Sequence, residues 1–175
     1  MNRALETERL TLRRHTVRDL PDSAAMWGDP EVVRYITGEP QSLEDVWGKI
    51  LRMMGHWEAM GFGYWVVREK TTGRFVGEVG FGDFKREINP AFEGAPEAGW
   101  ALATWAHGKG YAAEAMRAAL DWGDRKFKGA RMVCLISPEN QPSLRLAEAL
   151  GFTEYARSTY KGQASVLMER IPNGD

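Results

Sequence analysis

Apolar residues change their spacing several times along the chain, and each change marks an element. From Thr7 to Arg14, Leu10 and Leu12 alternate with Arg9, Thr11 and Arg13, the period of a half-buried strand. Arg18 to Ile36 predicts one or two short helices broken near Gly28-Asp29-Pro30, with Met26, Trp27, Val32, Val33 and Ile36 facing the core. Ser42 and Asp45 carry a capping-box signature. Leu43, Val46, Trp47, Ile50, Met54 and Trp57 then follow at helical spacing until Gly61 stops the helix. Tyr64 to Glu69 and Arg74 to Phe84 are β-rich runs joined by Lys70-Thr71-Thr72-Gly73, which predicts a hairpin, and a third run from Glu97 to Thr104 completes a meander. Tyr111 to Phe127 is amphipathic, with Ala112, Ala115, Met116, Ala119 and Leu120 opposing Glu114, Arg117, Asp121 and Asp124. Within Arg131 to Ser137 the unbroken apolar run Met132 to Ile136 suits a strand buried on both faces. Asn140 to Leu150 is a short helix closed by Gly151, and Tyr155 to Tyr160 with Gln163 to Ile171 forms a last hairpin around Lys161-Gly162.

This order predicts one α/β domain over residues 1–175: a mixed, largely antiparallel twisted sheet flanked by helices on both faces. Its one β-α-β crossover runs from the Glu97 strand through the Tyr111 helix to the Arg131 strand. A length of 175 residues with 43% apolar content fills a single core.

Charge narrows the function. The 23 basic and 24 acidic residues nearly cancel without long runs of one sign, which gives no support to nucleic-acid binding. Cys134 is the lone cysteine, and His15, His56 and His107 lie far apart, so neither a disulfide framework nor a metal site is expected. No apolar stretch approaches the ~20 residues of a membrane span, and residues 1–6 lack the apolar core of a signal peptide. A cytoplasmic protein without membrane contact is the expectation.

The chemistry concentrates between Trp100 and Ala115. A strand enters the loop His107-Gly108-Lys109-Gly110 and passes directly into a helix beginning Tyr111-Ala112-Ala113. Unpaired N–H groups and the positive end of the helix dipole make such a start an anion site, and glycines let a phosphate approach the backbone. Three phosphate-binding patterns compete. A P-loop requires Lys followed by Ser or Thr after the last glycine, and Tyr111 stands after Gly110. Gly108, Gly110 and Ala113 satisfy a dinucleotide fingerprint, with Glu139 beyond the next strand, but only one β-α-β unit accompanies them.

The third pattern is a family resemblance. His107-Gly108-Lys109-Gly110-Tyr111-Ala112 resembles the pyrophosphate loop of the GNAT superfamily of N-acetyltransferases, Arg/Gln-x-x-Gly-x-Gly/Ala. Asn140-Gln141-Pro142-Ser143 with Leu150-Gly151-Phe152 is similar to that superfamily's second motif, in the style of the branch that acetylates ribosomal-protein N-termini. His107 departs from the family's Arg or Gln.

The resemblance implies transfer of an acetyl group from acetyl-CoA, as co-substrate, to the primary amine of a protein N-terminus or small molecule, by direct attack in a ternary complex. It implies that the loop from His107 through Gly108, Lys109, Gly110, Tyr111, Ala112 and Ala113 holds the coenzyme's pyrophosphate. Leu102 would offer backbone groups to the pantetheine amides and its N–H to the thioester carbonyl, on a strand that bulges and splays from its parallel neighbour. Two roles fit Asn140, a pantetheine contact and a helix N-cap. Two also fit Ser143, a donor to the leaving thiolate and a first-turn serine bonded to backbone. An amine must lose a proton to attack, and Glu97 is the first candidate base, Glu78 the second, with water-mediated deprotonation as the alternative. A non-catalytic acyl-CoA sensor of the same fold stays open, as does a homodimer.

Overall fold

The computed structural model describes residues 4–172; residues 1–3 and 173–175 of the expected domain lie outside the described residues. Strands β1 (Leu5–Glu6), β2 (Leu10–Arg14), β3 (Tyr64–Glu69), β4 (Phe75–Gly82), β5 (Glu97–Leu102), β6 (Met132–Ile136), β7 (Thr153–Tyr160) and β8 (Gln163–Arg170) form one 8-stranded sheet in the order β1-β2-β3-β4-β5-β6-β8-β7. Every neighbouring pair is antiparallel except β5–β6. The helices are α1 (Leu20–Trp27), α2 (Pro30–Val33), α3 (Leu43–Met60), α4 (Tyr111–Lys126) and α5 (Gln141–Ala149). Elements begin and end within a few residues of the sequence expectation, and the short β1 is the one strand it lacked.

Alternation along the strands sends side chains to two cores. On one face Trp65, Val79, Phe81, Ala98 and Leu102 meet Ala115, Met116, Ala119 and Leu120 of α4 and Ala147 of α5. Right-handed crossovers out of β5 and β6 place both helices on that side. Trp57, Trp65 and Trp122 pack edge to face there, with ring centroids 5.0–5.7 Å apart. On the other face Val66, Phe75 and Ala101 receive Met26, Trp27, Val33, Val46 and Ile50 from α1, α2 and α3.

The start and stop of α3 follow from its sequence. Ser42 and Asp45 close both halves of the capping box, and Gly61 ends the helix in the left-handed region at φ +70°. Its apolar arc, however, is wider than the surface that covers it. Val46, Ile50, Met53 and Trp57 are buried, whereas Leu43, Trp47 and Met54, which belong to the same apolar spacing, are 62%, 40% and 37% exposed. Ile36, expected to face the core, lies in the turn after α2 and is 48% exposed.

Candidate active site

The loop after β5 turns through a short 3₁₀ segment, Thr104–Ala106, before entering α4. Gly108 and Gly110 adopt φ of +72° and +76°, a region that excludes most side chains on steric grounds. Among the described residues, the N–H groups of Gly108, Lys109, Gly110, Tyr111, Ala112 and Ala113 donate to no backbone or side-chain acceptor, and the first donor of the helix ladder is Glu114. Helices α2, α3 and α5 are each capped by a side chain, from Asp29, Ser42 and Asn140, whereas α1 and α4 are not. A Cβ built on Gly108 meets no atom within 4 Å, so the cradle faces open space. The residues therefore fit a pyrophosphate held by backbone amides.

The loop is fixed from behind. Arg9, in the bend just before β2, donates to Lys109 O at 2.9 Å, pairs with Glu114 at 2.6 Å and lies over the Tyr111 ring at 4.4 Å. The Tyr111 hydroxyl donates to Glu69. Tyr111 is thus buried beneath the loop and contributes its amide rather than its phenol to the cradle. Lone arginines at a strand start carry no sequence signal, and Arg9 was legible only as the outward side of its strand.

β5 and β6 part immediately. Their one register pair is Glu97–Val133, with Val133 N–H donating to Pro96 O, so Trp100 and Leu102 have no strand partner on that side. Ala103 N–H is committed to Val76 O of β4, and strand alternation turns the N–H of Leu102 the other way, into the gap. Gly99 and Trp100 are only half-buried, although they lie in the middle of the sheet. The splay is therefore present, but the expected bulge is not, because β5 pairs with β4 from Glu97 to Leu102 without a shift. The register shifts of the sheet fall instead at Val67/Arg68 and at Glu154/Ala156. The carbonyl of Leu102 also differs from expectation: His107 Nε2–H donates to it at 2.9 Å, leaving the Leu102 N–H as the group turned to the gap. His107 closes the turn where the superfamily pattern has Arg or Gln.

Ser143 and Asn140 flank the same opening. Asn140 Oδ1 accepts the Ser143 N–H at 3.3 Å, so Asn140 is the N-cap of α5. The Ser143 hydroxyl instead accepts from the indole N–H of Trp100 at 3.2 Å, which places it against β5.

Both candidate carboxylates point to the opposite face. Glu97, 6% exposed, is held bidentately by Arg86 at 2.6 and 2.8 Å and borders a cavity of about 240 Å³. Glu78 is sealed beneath α1, where Ser23 donates at 2.7 Å and Trp27 at 3.0 Å, with His15 Nε2 at 3.2 Å. The His15 nitrogens have no aligned hydrogen bond among the described residues, so their contact with Glu78 is one of proximity. Burial pushes the Glu78 carboxyl up, but His15 and the two donors outweigh it and hold it below the usual range.

Tyr64 was missed. Its hydroxyl lies over Gly99, where a Cβ would come within 2.0 Å of it, so β5 needs glycine at that point. A glycine inside a strand marks such close approaches, and Gly99 was the available signal.

A parted strand pair beside a helix start with unclaimed amides is an arrangement with room for a long ligand that carries an anionic segment at one end. The comparisons give that arrangement a family. Residues 9–153 match the acetyltransferase (GNAT) domain family. The chain is 30% identical over 149 residues to the uncharacterized N-acetyltransferase p20 of Bacillus licheniformis, covering 85% of this chain and 81% of that one. A GnaT-family acetyltransferase structure from Bordetella pertussis superposes with a TM-score of 0.86 at 34% identity, covering 97% of this chain and 99% of that one. A ribosomal L7/L12 α-N-protein acetyltransferase solved with coenzyme A shares the fold at 16% identity, with a TM-score of 0.79 over 99% and 100% of the two chains. The chain belongs to the GNAT acetyltransferase family and is an acyltransferase.

Proposed function

We propose that the protein transfers the acetyl group of acetyl-CoA to a primary amine by direct attack in a ternary complex. The observation that carries this reading is the uncapped run of amides from Gly108 to Ala113, set beside the gap between β5 and β6. The bound coenzyme supplies an activated acetyl thioester. The amides of the loop hold its pyrophosphate, the gap takes the pantetheine arm, and the Leu102 N–H serves the thioester oxygen as negative charge develops there. Ser143, whose oxygen already accepts from Trp100, keeps its own proton to donate to the departing sulfur.

The acceptor amine enters from the face of Tyr64 and Glu97. Of the two candidate bases Glu97 is the one that borders a cavity, and it takes the amine's proton through water. Glu78 has no route to the acceptor, and its role is to anchor α1 to the sheet. The buried Cys134 thiol, which burial pushes up, takes no part, and a lone buried cysteine suits a reducing compartment such as the cytoplasm.

The test is thiol release from acetyl-CoA with a panel of amines, preceded by a thermal-shift measurement with the coenzyme. Coenzyme stabilisation with acceptor-dependent thiol release is the expected result. Stabilisation without release by any amine would favour a coenzyme sensor, and no stabilisation would remove the reading.

A further inference from the structure

The acceptor face carries a group of cations that the transfer chemistry does not use. Lys49, Arg52 and His56 lie three and four residues apart on α3 and so share one side of it. That side looks toward Phe84 in the segment after β4. Arg52 lies 5.6 Å from the Phe84 ring centroid and Arg86 5.1 Å, so two guanidinium groups flank one aromatic ring. Tyr64 packs on the same ring at 6.2 Å between centroids, with its hydroxyl over Gly99 of β5. His56 fixes the arrangement. Its Nδ1–H donates to Phe62 O at 2.6 Å and its Nε2 accepts from Asp83 N–H at 3.0 Å, tying α3 to the start of the Phe84 segment.

The charges in this group are only partly offset. Arg86 is neutralised by Glu97. Among the described residues neither Lys49 nor Arg52 belongs to an ion pair, and Asp45, the acid on the same side of α3, is committed to Ser42 in the capping box. The Lys49 ammonium sits 3.6 Å from the Trp27 ring centroid; burial, with repulsion from Arg52 and Arg86 against the pull of Glu78, brings it down to about 8. The coenzyme's phosphates do not account for these cations, because the amide cradle follows the far end of β5, after Leu102, whereas Arg86 grips its first residue, Glu97.

We infer that the acceptor is a small amine that also carries a carboxylate, its anionic end held by Arg52 beside Phe84 and its amine directed past Tyr64 to the gap between β5 and β6. This rests on the acetyltransferase reading above. Lys49 adds positive potential behind Arg52, and the Phe84 and Tyr64 rings form the apolar side of the path. The Arg86–Glu97 pair closes its end without adding net charge.

The experiment compares α- and ω-amino acids of increasing length with their amides and with polyamines, using thiol release from acetyl-CoA. The expected result is a preference of at least about tenfold in kcat/KM for an amino acid over its amide. Arg52→Gln is expected to shrink that ratio by about tenfold, the scale of one hydrogen bond to a charged group, and Arg52→Lys to retain most of it. Arg52 is exposed, so both variants keep the fold. Preference for amides or polyamines, no turnover of any amino acid, or a ratio unchanged in Arg52→Gln would overturn the inference. Turnover of polyamines alone leaves the acetyltransferase reading standing, whereas failure to bind the coenzyme overturns both.

Discussion

The indole N–H of Trp100 donates to the hydroxyl oxygen of Ser143 at 3.2 Å, linking the strand that leads into the glycine loop before α4 to the first turn of α5. The hydroxyl is thereby oriented by β5 rather than spent on capping its own helix, which Asn140 does. Ser143→Ala is therefore expected to lower kcat by about tenfold, roughly 1.4 kcal/mol in barrier, while coenzyme affinity changes much less. Water can substitute as donor, which keeps the loss modest. A wild-type kcat under conditions where chemistry is rate-limiting would place the proton donor elsewhere.

Gly108→Ala tests the amide cradle more cleanly than a change at Gly110, whose added Cβ would lie 3.5 Å from the Arg9 guanidinium. At Gly108 the new methyl group meets open space in the free protein and stands where a phosphate would approach. Its left-handed backbone costs about 1–2 kcal/mol of stability. Titration calorimetry is expected to show acetyl-CoA binding weakened by about tenfold or more in a folded variant. Unchanged affinity would reduce the loop to a connection.

Glu78→Gln separates anchoring from proton transfer. The buried carboxylate holds Ser23 and Trp27 of α1, so the expected outcome is a lower Tm, with most of kcat retained in the folded enzyme. Loss of kcat without loss of Tm would make Glu78 the base after all.

Asp19 ties the segment before α1 to two strands: Arg13 bonds both its oxygens, at 2.6 and 2.9 Å, and Arg68 adds a contact at 3.2 Å. Burial opposes its charge, yet these guanidinium groups and the Thr16 N–H hold its carboxyl far below the usual carboxylate range. A depressed folded-state value means the contribution to stability is complete above the unfolded value of about 3.9 and is lost as pH falls below it. Asp19→Asn is expected to lower Tm near neutral pH and to flatten the acid side of the Tm-against-pH curve. A parallel acid limb in the variant would contradict this assignment.

The elements were legible because local signals agreed with the tertiary result. The capping box at Ser42, the glycine stop at Gly61 and the apolar run at Met132 each act over a few residues. The geometry of the loop before α4 was legible for the same reason, since the left-handed glycines and the helix start are contiguous. What escaped depended on partners distant in sequence. The apolar positions of α3 span more of its circumference than α1 and the sheet cover, so spacing alone did not separate Val46 from Trp47. Arg9 behind the loop and Arg86 on Glu97 join residues by contacts that no local period encodes. The missing bulge has a related origin: the gap lies where pairing to β6 stops after Glu97, while β5 stays paired in register with β4.

Because one register pair joins β5 to β6, the sheet consists of two leaves, β1 to β5 and β6-β8-β7, with an unzipped seam between them. The seam is an interior edge, and its free N–H groups behave like those of any exposed edge strand. In hydrogen-exchange terms, the amides of Trp100 and Leu102 should lack protection in the centre of an otherwise shielded sheet and gain it when a ligand fills the seam. The ligand then completes the ladder between the leaves, so its arrival should stiffen the molecule from the middle outward.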